Sequence, residues 1–107
     1  MDSQRHVMEF SAACWLYSGK AAWHFVTLPP EAGAEIKYFS QAASGGKRSG
    51  WGAVRVAAHI GHSTWDTSVF PDSKTGSYLL PIKASVRKAE CITAGQTVRV
   101  TLSMPMP

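Results

Sequence analysis

No stretch of this sequence holds the roughly 20 consecutive apolar residues that cross a bilayer as a helix. Its opening residues, Met1-Asp2-Ser3-Gln4-Arg5, also lack an apolar leader core. The two absences lead to the expectation of a cytoplasmic protein with no membrane partner. Cysteine is scarce: Cys14 and Cys91 stand alone, neither in a CxxC pair, which excludes a thiolate zinc knuckle and a dithiol redox motif. Each sits in an apolar-looking segment, so both are expected to be buried, reduced thiols. No GxxxxGK[ST] or GxGxxG loop occurs, and the commonest phosphate cradles are therefore missing. No GxSxG elbow surrounds a serine, so Ser68, Asp72 and His24 make a triad by composition only. His59 and His62 flank Ile60-Gly61, but two imidazoles without clustered carboxylates fall short of a metal site. Catalytic residues, metals and cofactors are all expected to be absent.

What is present describes one folding unit. At 107 residues, 45% hydrophobic and 17% charged, the chain has material for a single core and is too apolar for disorder. One domain over 1–107 is expected, with frayed ends at 1–6 and 105–107. The net charge of +4 comes from Lys and Arg spread along the chain, giving solubility and a weak pull on polyanions.

Periodicity supplies the elements. Met8, Phe10, Ala12, Cys14 and Leu16 alternate with more polar residues, the period of a half-buried strand. A turn at Ser18-Gly19-Lys20 leads to a β-branched and aromatic run, Trp23 to Leu28, which completes a hairpin. Pro29 and Pro30 end that strand and suit a first helical turn, where a proline forfeits no hydrogen bond. Ala32, Ile36, Phe39 and Ala43 then form one helical stripe, closed by Ser44, Gly45 and Gly46 and expected to cover a barrel opening. Val54 to Ile60 and Thr64 to Phe70 form a second hairpin about Gly61-His62, followed by a polar loop from Pro71 to Gly76. A short strand at Tyr78 to Leu80, a helix from about Lys83 to Glu90, a turn at Gly95 and a strand from Val98 to Met104 complete the chain.

Two segments echo each other: strand, Leu28-Pro29, helix, glycine turn, Val54-Arg55-Val56; and strand, Leu80-Pro81, helix, glycine turn, Val98-Arg99-Val100. From proline to valine the first takes 25 residues against 17, as an inserted Gly/Lys/Arg/Ser loop would produce. The expected fold is mainly β: a small closed double-split β-barrel of six to seven strands, with two short helices and pseudo-duplicated strand-helix-strand units. Leu80-Pro81, Lys83, Val86-Arg87, Ile92, Gly95 and Val98-Arg99-Val100 resemble the half-barrel of AbrB/MazE-type swapped-hairpin transcription factors, with Ile82, Ala84 and Ser85 departing from that pattern. That resemblance implies sequence-tolerant DNA binding as an alternative function. Trp23 to Pro29, Gly50 to Val56, Thr64 to Asp72, Gly76 to Lys83 and Val86 to Glu90 resemble an uncharacterised bacterial domain-of-unknown-function family over nearly the whole chain. This second resemblance implies a single-chain double-split barrel, sometimes fused to a YdeI/OmpD-associated domain linked to bacteriocin protection. Any function needing such a domain would then be completed in trans.

Candidate binding residues come from the aromatics and the basic second helix. Lys83 and Arg87, four apart, share a side that Lys88 extends; Lys74 and Tyr78 stand just before them. Together they suit a phosphate, a carboxylate or a nucleic-acid backbone; the alternative is a solvated face on which Arg87 pairs with Glu90. Trp15, Trp23, Trp51 and Trp65 serve as core filler or as pocket walls, Trp51 being the best candidate for exposure between its two glycines. The first functional expectation is a non-enzymatic binding module for a small anionic or aromatic ligand, or a partner protein. Its ligand site would comprise Trp23, Trp65, Ser68, Lys74, Tyr78, Lys83, Arg87 and Lys88. An enzyme with an unfamiliar pocket stands as a third reading.

Overall fold

The computed structural model describes residues 4–19, 22–43 and 52–106. Its elements are β1 (Arg5–Leu16), β2 (His24–Thr27), α1 (Pro30–Ala43), β3 (Val54–Ile60), β4 (Ser63–Asp72), β5 (Ser77–Pro81), α2 (Ala84–Glu90) and β6 (Thr97–Pro105). Six strands close a barrel in the order β1-β2-β5-β4-β3-β6, each neighbouring pair antiparallel. The expected mainly-β closed barrel with two short helices is therefore the observed one.

Strand parity builds the core. Met8, Phe10 and Cys14 of β1, Val54, Val56, Ala58 and Ile60 of β3, and Val98, Val100, Leu102 and Met104 of β6 are buried on the inner face, and alternate residues face out. Leu28, Ala32 and Ile36 from the α1 side, and Ile82, Val86 and Ile92 around α2, join the same cluster. Fully burying one such side chain contributes about 1.5–3 kcal/mol.

The internal echo is an approximate two-fold relation. Matching Leu28-Pro29 to Leu80-Pro81 makes Thr27 the counterpart of Leu79, and these two residues face each other across the β2/β5 ladder. Matching Val54 to Val98 makes Ala58 the counterpart of Leu102, and these face each other across β3/β6. His6, opposite Met104, then corresponds to Ser63, opposite Ile60. Each receives a helix carboxylate: His6 Nε2 lies in hydrogen-bonding contact with Glu35 Oε1 on α1, and Ser63 Oγ donates to Glu90 Oε2 on α2 at 2.6 Å.

Close approach fixes α1. A Cβ at Gly33 would fall 2.1 Å from Ser77 Oγ, so only glycine lets the first turn of the helix lie directly on β5. Ala32 and Ile36 of the expected stripe are buried and Phe39 is packed against the core. The helix stop at Ser44-Gly45-Gly46, the Gly/Lys/Arg/Ser loop to Gly50, Lys20 of the first turn and Trp51 lie outside the described residues.

Three expectations need correction. Arg5 and His6 are paired with Pro105 and Met104 rather than frayed; the Arg5 side chain also donates to Ser103 Oγ and to the Ser103 carbonyl. β4 runs through Pro71 to Asp72, so that proline does not end its strand, whereas β5 does end at Pro81. Cys91 is exposed, because it ends α2 in the left-handed conformation at φ 55°, a position that turns its side chain away from the core side of the helix.

Cys14 is buried as expected. Burial pushes its thiol above its ordinary value, with the positive charge of Arg87 pulling the other way. A disulfide-exchange reagent should therefore label the native protein at one fast thiol, Cys91, and reach Cys14 only after denaturation. Titration with Cys91→Ser as control checks this; two fast thiols, or a fast thiol surviving in the variant, would contradict it.

Candidate binding cleft

The end of β5 and the start of α2 create a cleft. Ile82 turns into the core, and Lys83 stands extended (φ −70°, ψ 157°) as the residue before the helix. One turn later Arg87 Nε donates to the Ile82 carbonyl at 3.1 Å, which anchors the guanidinium and leaves its terminal N–H groups without a hydrogen-bond partner among the described residues. Trp23 and His24 reach the same place from the start of β2, and Trp65, Asp66 and Thr67 from β4, around a volume of about 350 Å³. Ala22, with φ 50°, turns the chain into β2 and accepts a contact from His24 Nδ1 at 3.1 Å. A positive φ on a residue with a Cβ is an uncommon conformation, and here it immediately precedes the cleft tryptophan.

Of the eight residues expected to form one ligand site, four line this cleft: Trp23, Trp65, Lys83 and Arg87. The others are elsewhere. Tyr78 is 1% exposed and belongs to the core, because its position in β5 has inward parity alongside Leu80. Ser68 faces out of β4, where Arg55 Nη1 contacts its Oγ at 3.5 Å. Lys74 is held on the outer side of the β4–β5 loop, where the Asp72 carboxylate accepts from its backbone N–H at 3.4 Å and from Thr75 Oγ1 at 2.8 Å. Lys88 is exposed beyond the cleft. Ser68, Asp72 and His24 each bond to other groups, so no triad is assembled.

Asp66, Thr67 and His24 are cleft residues that sequence reasoning missed. A second depression was missed as well: an outer groove of about 880 Å³ lined by Trp15, Tyr17, Trp23, Phe25, Phe70 and Leu79, with Asp72, Lys74 and Thr75 at one side. Its signal lay in Trp15 and Phe25, which face each other across β1/β2 on the parity opposite to Cys14 and Val26. The reading of the tryptophans as core filler holds for Trp65 and fails for Trp23, which is 52% exposed. Trp15 is half-buried on the outer face, where its Nε1 donates to Thr27 Oγ1 at 2.9 Å.

The expected Arg87–Glu90 pair is replaced by a different contact. Glu90 reaches the β3–β4 turn, accepting from Ser63 Oγ and from the His62 backbone N–H at 3.2 Å. Gly61, at φ +60°, makes room for it: a Cβ there would lie 1.9 Å from Glu90 Oε1. His59 Nδ1 contacts Thr64 Oγ1 at 2.8 Å, and among the described residues no group of three His, Cys, Asp or Glu is placed to hold a metal.

The Ser63 hydroxyl holds the Glu90 carboxyl below its ordinary value; partial desolvation opposes this, and the His62 N–H and positive charge on His62 and His59 add to it. A carboxyl whose value is lowered on folding stabilises the fold above its unfolded value and loses that contribution as pH falls through its folded value. Denaturant titrations of wild type and Glu90→Gln should therefore differ at neutral pH, wild type being the more stable, and converge in acid. A difference that persists unchanged below the carboxylate range would contradict this.

Among the described residues no helix is long and apolar enough to cross a membrane. No curated protein matches the chain. Residues 10–102, which include at least part of every strand and both helices, match the family model described as Domain of unknown function (DUF1905), and the chain belongs to that family.

Proposed function

We propose that this protein is a non-enzymatic binding module that holds the anionic group of a small ligand in the cleft beside Trp23. The observation that carries this reading is the convergence of Trp23, Trp65, Lys83 and Arg87, from three separate parts of the chain, on one volume of about 350 Å³. Small-ligand sites have this composition: apolar and aromatic walls with a few placed polar groups, in a volume of about 300–1,000 Å³. Lys83 and Arg87 bring two positive charges against the single carboxylate of Asp66, so the cleft favours an anion. The Arg87 anchor on Ile82 presets the guanidinium and limits the ordering cost of binding.

The likeness to swapped-hairpin factors is one of construction in this reading. Two strand-helix-strand halves make a barrel, and the ligand site belongs to only one of them. A carboxylate or a phosphate meets the same donors, and an aromatic ring attached to it lies against the indole of Trp23.

Benzoate is a suitable probe. It should quench intrinsic tryptophan fluorescence saturably, and Lys83→Gln and Arg87→Lys should each weaken its binding about tenfold, the scale of one charge-assisted hydrogen bond, with the melting temperature held. Unsaturable quenching, or equal affinity in wild type and both variants, would overturn the proposal.

A further inference from the structure

We infer that the ligand carries an extended apolar body, which passes over Trp23 and lies in the outer aromatic groove. This rests on the anion-binding reading of the cleft and adds the class of molecule: an amphipathic anion with a planar or alkyl tail. Trp23 lines both depressions, so the cationic cleft and the groove meet at one indole. Its ring is nearly parallel to that of Phe25, at 15° and 6.0 Å between centroids, and Phe25 leads on to Trp15 at 5.3 Å and Tyr17 at 6.4 Å.

The chemistry changes along this path. The cleft sets Lys83 and Arg87 against the single carboxylate of Asp66, whereas in the groove the charge of Lys74 is matched by that of Asp72, both at one side. In the groove, Trp15 Nε1 is satisfied by Thr27 Oγ1, and the Asp72 carboxylate is engaged by the Lys74 N–H and Thr75 Oγ1. Apart from Lys74 and Ser18 the remaining surface is apolar: Tyr17 is 53% exposed and Phe70 43%, and Leu79 pairs with both Phe70 and Thr27 across the sheet. An occupant gains by covering these rings and finds few free polar partners there, the demand that an alkyl or aryl tail meets. Contiguous exposed apolar surface of this kind marks an interaction site on a soluble domain, and its continuity with the cleft selects a tail attached to the anion over a separate partner.

A series with a constant head tests this: benzoate, para-butylbenzoate and para-octylbenzoate, titrated against wild type, Lys83→Gln, and the double variant Tyr17→Ser/Phe70→Thr. Each methylene covered in an open groove should tighten binding about twofold, so the octyl compound binds far more tightly than benzoate to wild type. The double variant should lose that gain and keep its affinity for benzoate, while Lys83→Gln weakens all three by a common factor. If benzoate binds but the tail adds nothing, or the gain survives in the double variant, the tail inference is overturned and the anion reading stands. If benzoate fails to bind, both fall. Sedimentation of the free protein covers the rival occupant: a dimer held through this face, and not dissociated by the octyl compound, would also overturn the inference.

Discussion

Two of the ladders that close the barrel, β2 on β5 and β3 on β6, lie on the approximate two-fold axis, and the two halves of the fold are arranged around them. At each, a residue meets its own counterpart from the other half: Thr27 faces Leu79 and Ala58 faces Leu102. Two identical chains meeting on such an axis would have to place the same side chain on both sides. A single chain is free of that restriction, and the barrel uses the freedom where it is tightest: Ala58 and Leu102 are both fully buried, a small residue opposite a large one, which fills the interior without overpacking.

The same freedom separates the halves electrostatically. Counted from the matched prolines Pro29 and Pro81, the positions of Lys83 and Arg87 correspond to Glu31 and Glu35 in the first half. Glu35 reaches His6, so the α1 side carries carboxylates where the α2 side carries cations. Trp65 corresponds to Met8 through the β1 and β4 registers. On the proposed reading an anion-binding cleft therefore forms at only one of the two related places, although the related positions His6 and Ser63 each contact a helix carboxylate.

Much of this was legible in the sequence because strand parity is a strict code when one face is apolar and the other polar. Val54 to Ile60 and Val98 to Met104 obey it, and both strands, their faces and their turns follow directly. Parity loses its meaning where both faces are apolar. In β2, Phe25 and Val26 are each hydrophobic, and periodicity alone does not say that Val26 fills the barrel while Phe25 lines a groove; in β5 the same ambiguity made Tyr78 look like a wall of the site. Of the candidate cleft, Lys83 and Arg87 were visible through their spacing, and Trp23 and Trp65 as aromatics. The rest depends on which loop bends which way: the Asp72 contacts draw Lys74 outward, and the left-handed turn at Cys91 exposes a thiol in a segment that reads as apolar. Pro71 reads as a strand end, since local chemistry does not reveal that the β4/β5 ladder continues past it to Asp72.

Closure of one chain on itself is the claim beneath the cleft, the groove and the charge asymmetry. The most direct test is a filtered nuclear Overhauser experiment on a mixture of labelled and unlabelled protein, reading contacts between Ala58 and Leu102 and between Thr27 and Leu79. Within-chain contacts at both seams are the expected result. Contacts at these seams that arise only between labelled and unlabelled molecules, or none at all, would mean that the chain does not close its own barrel.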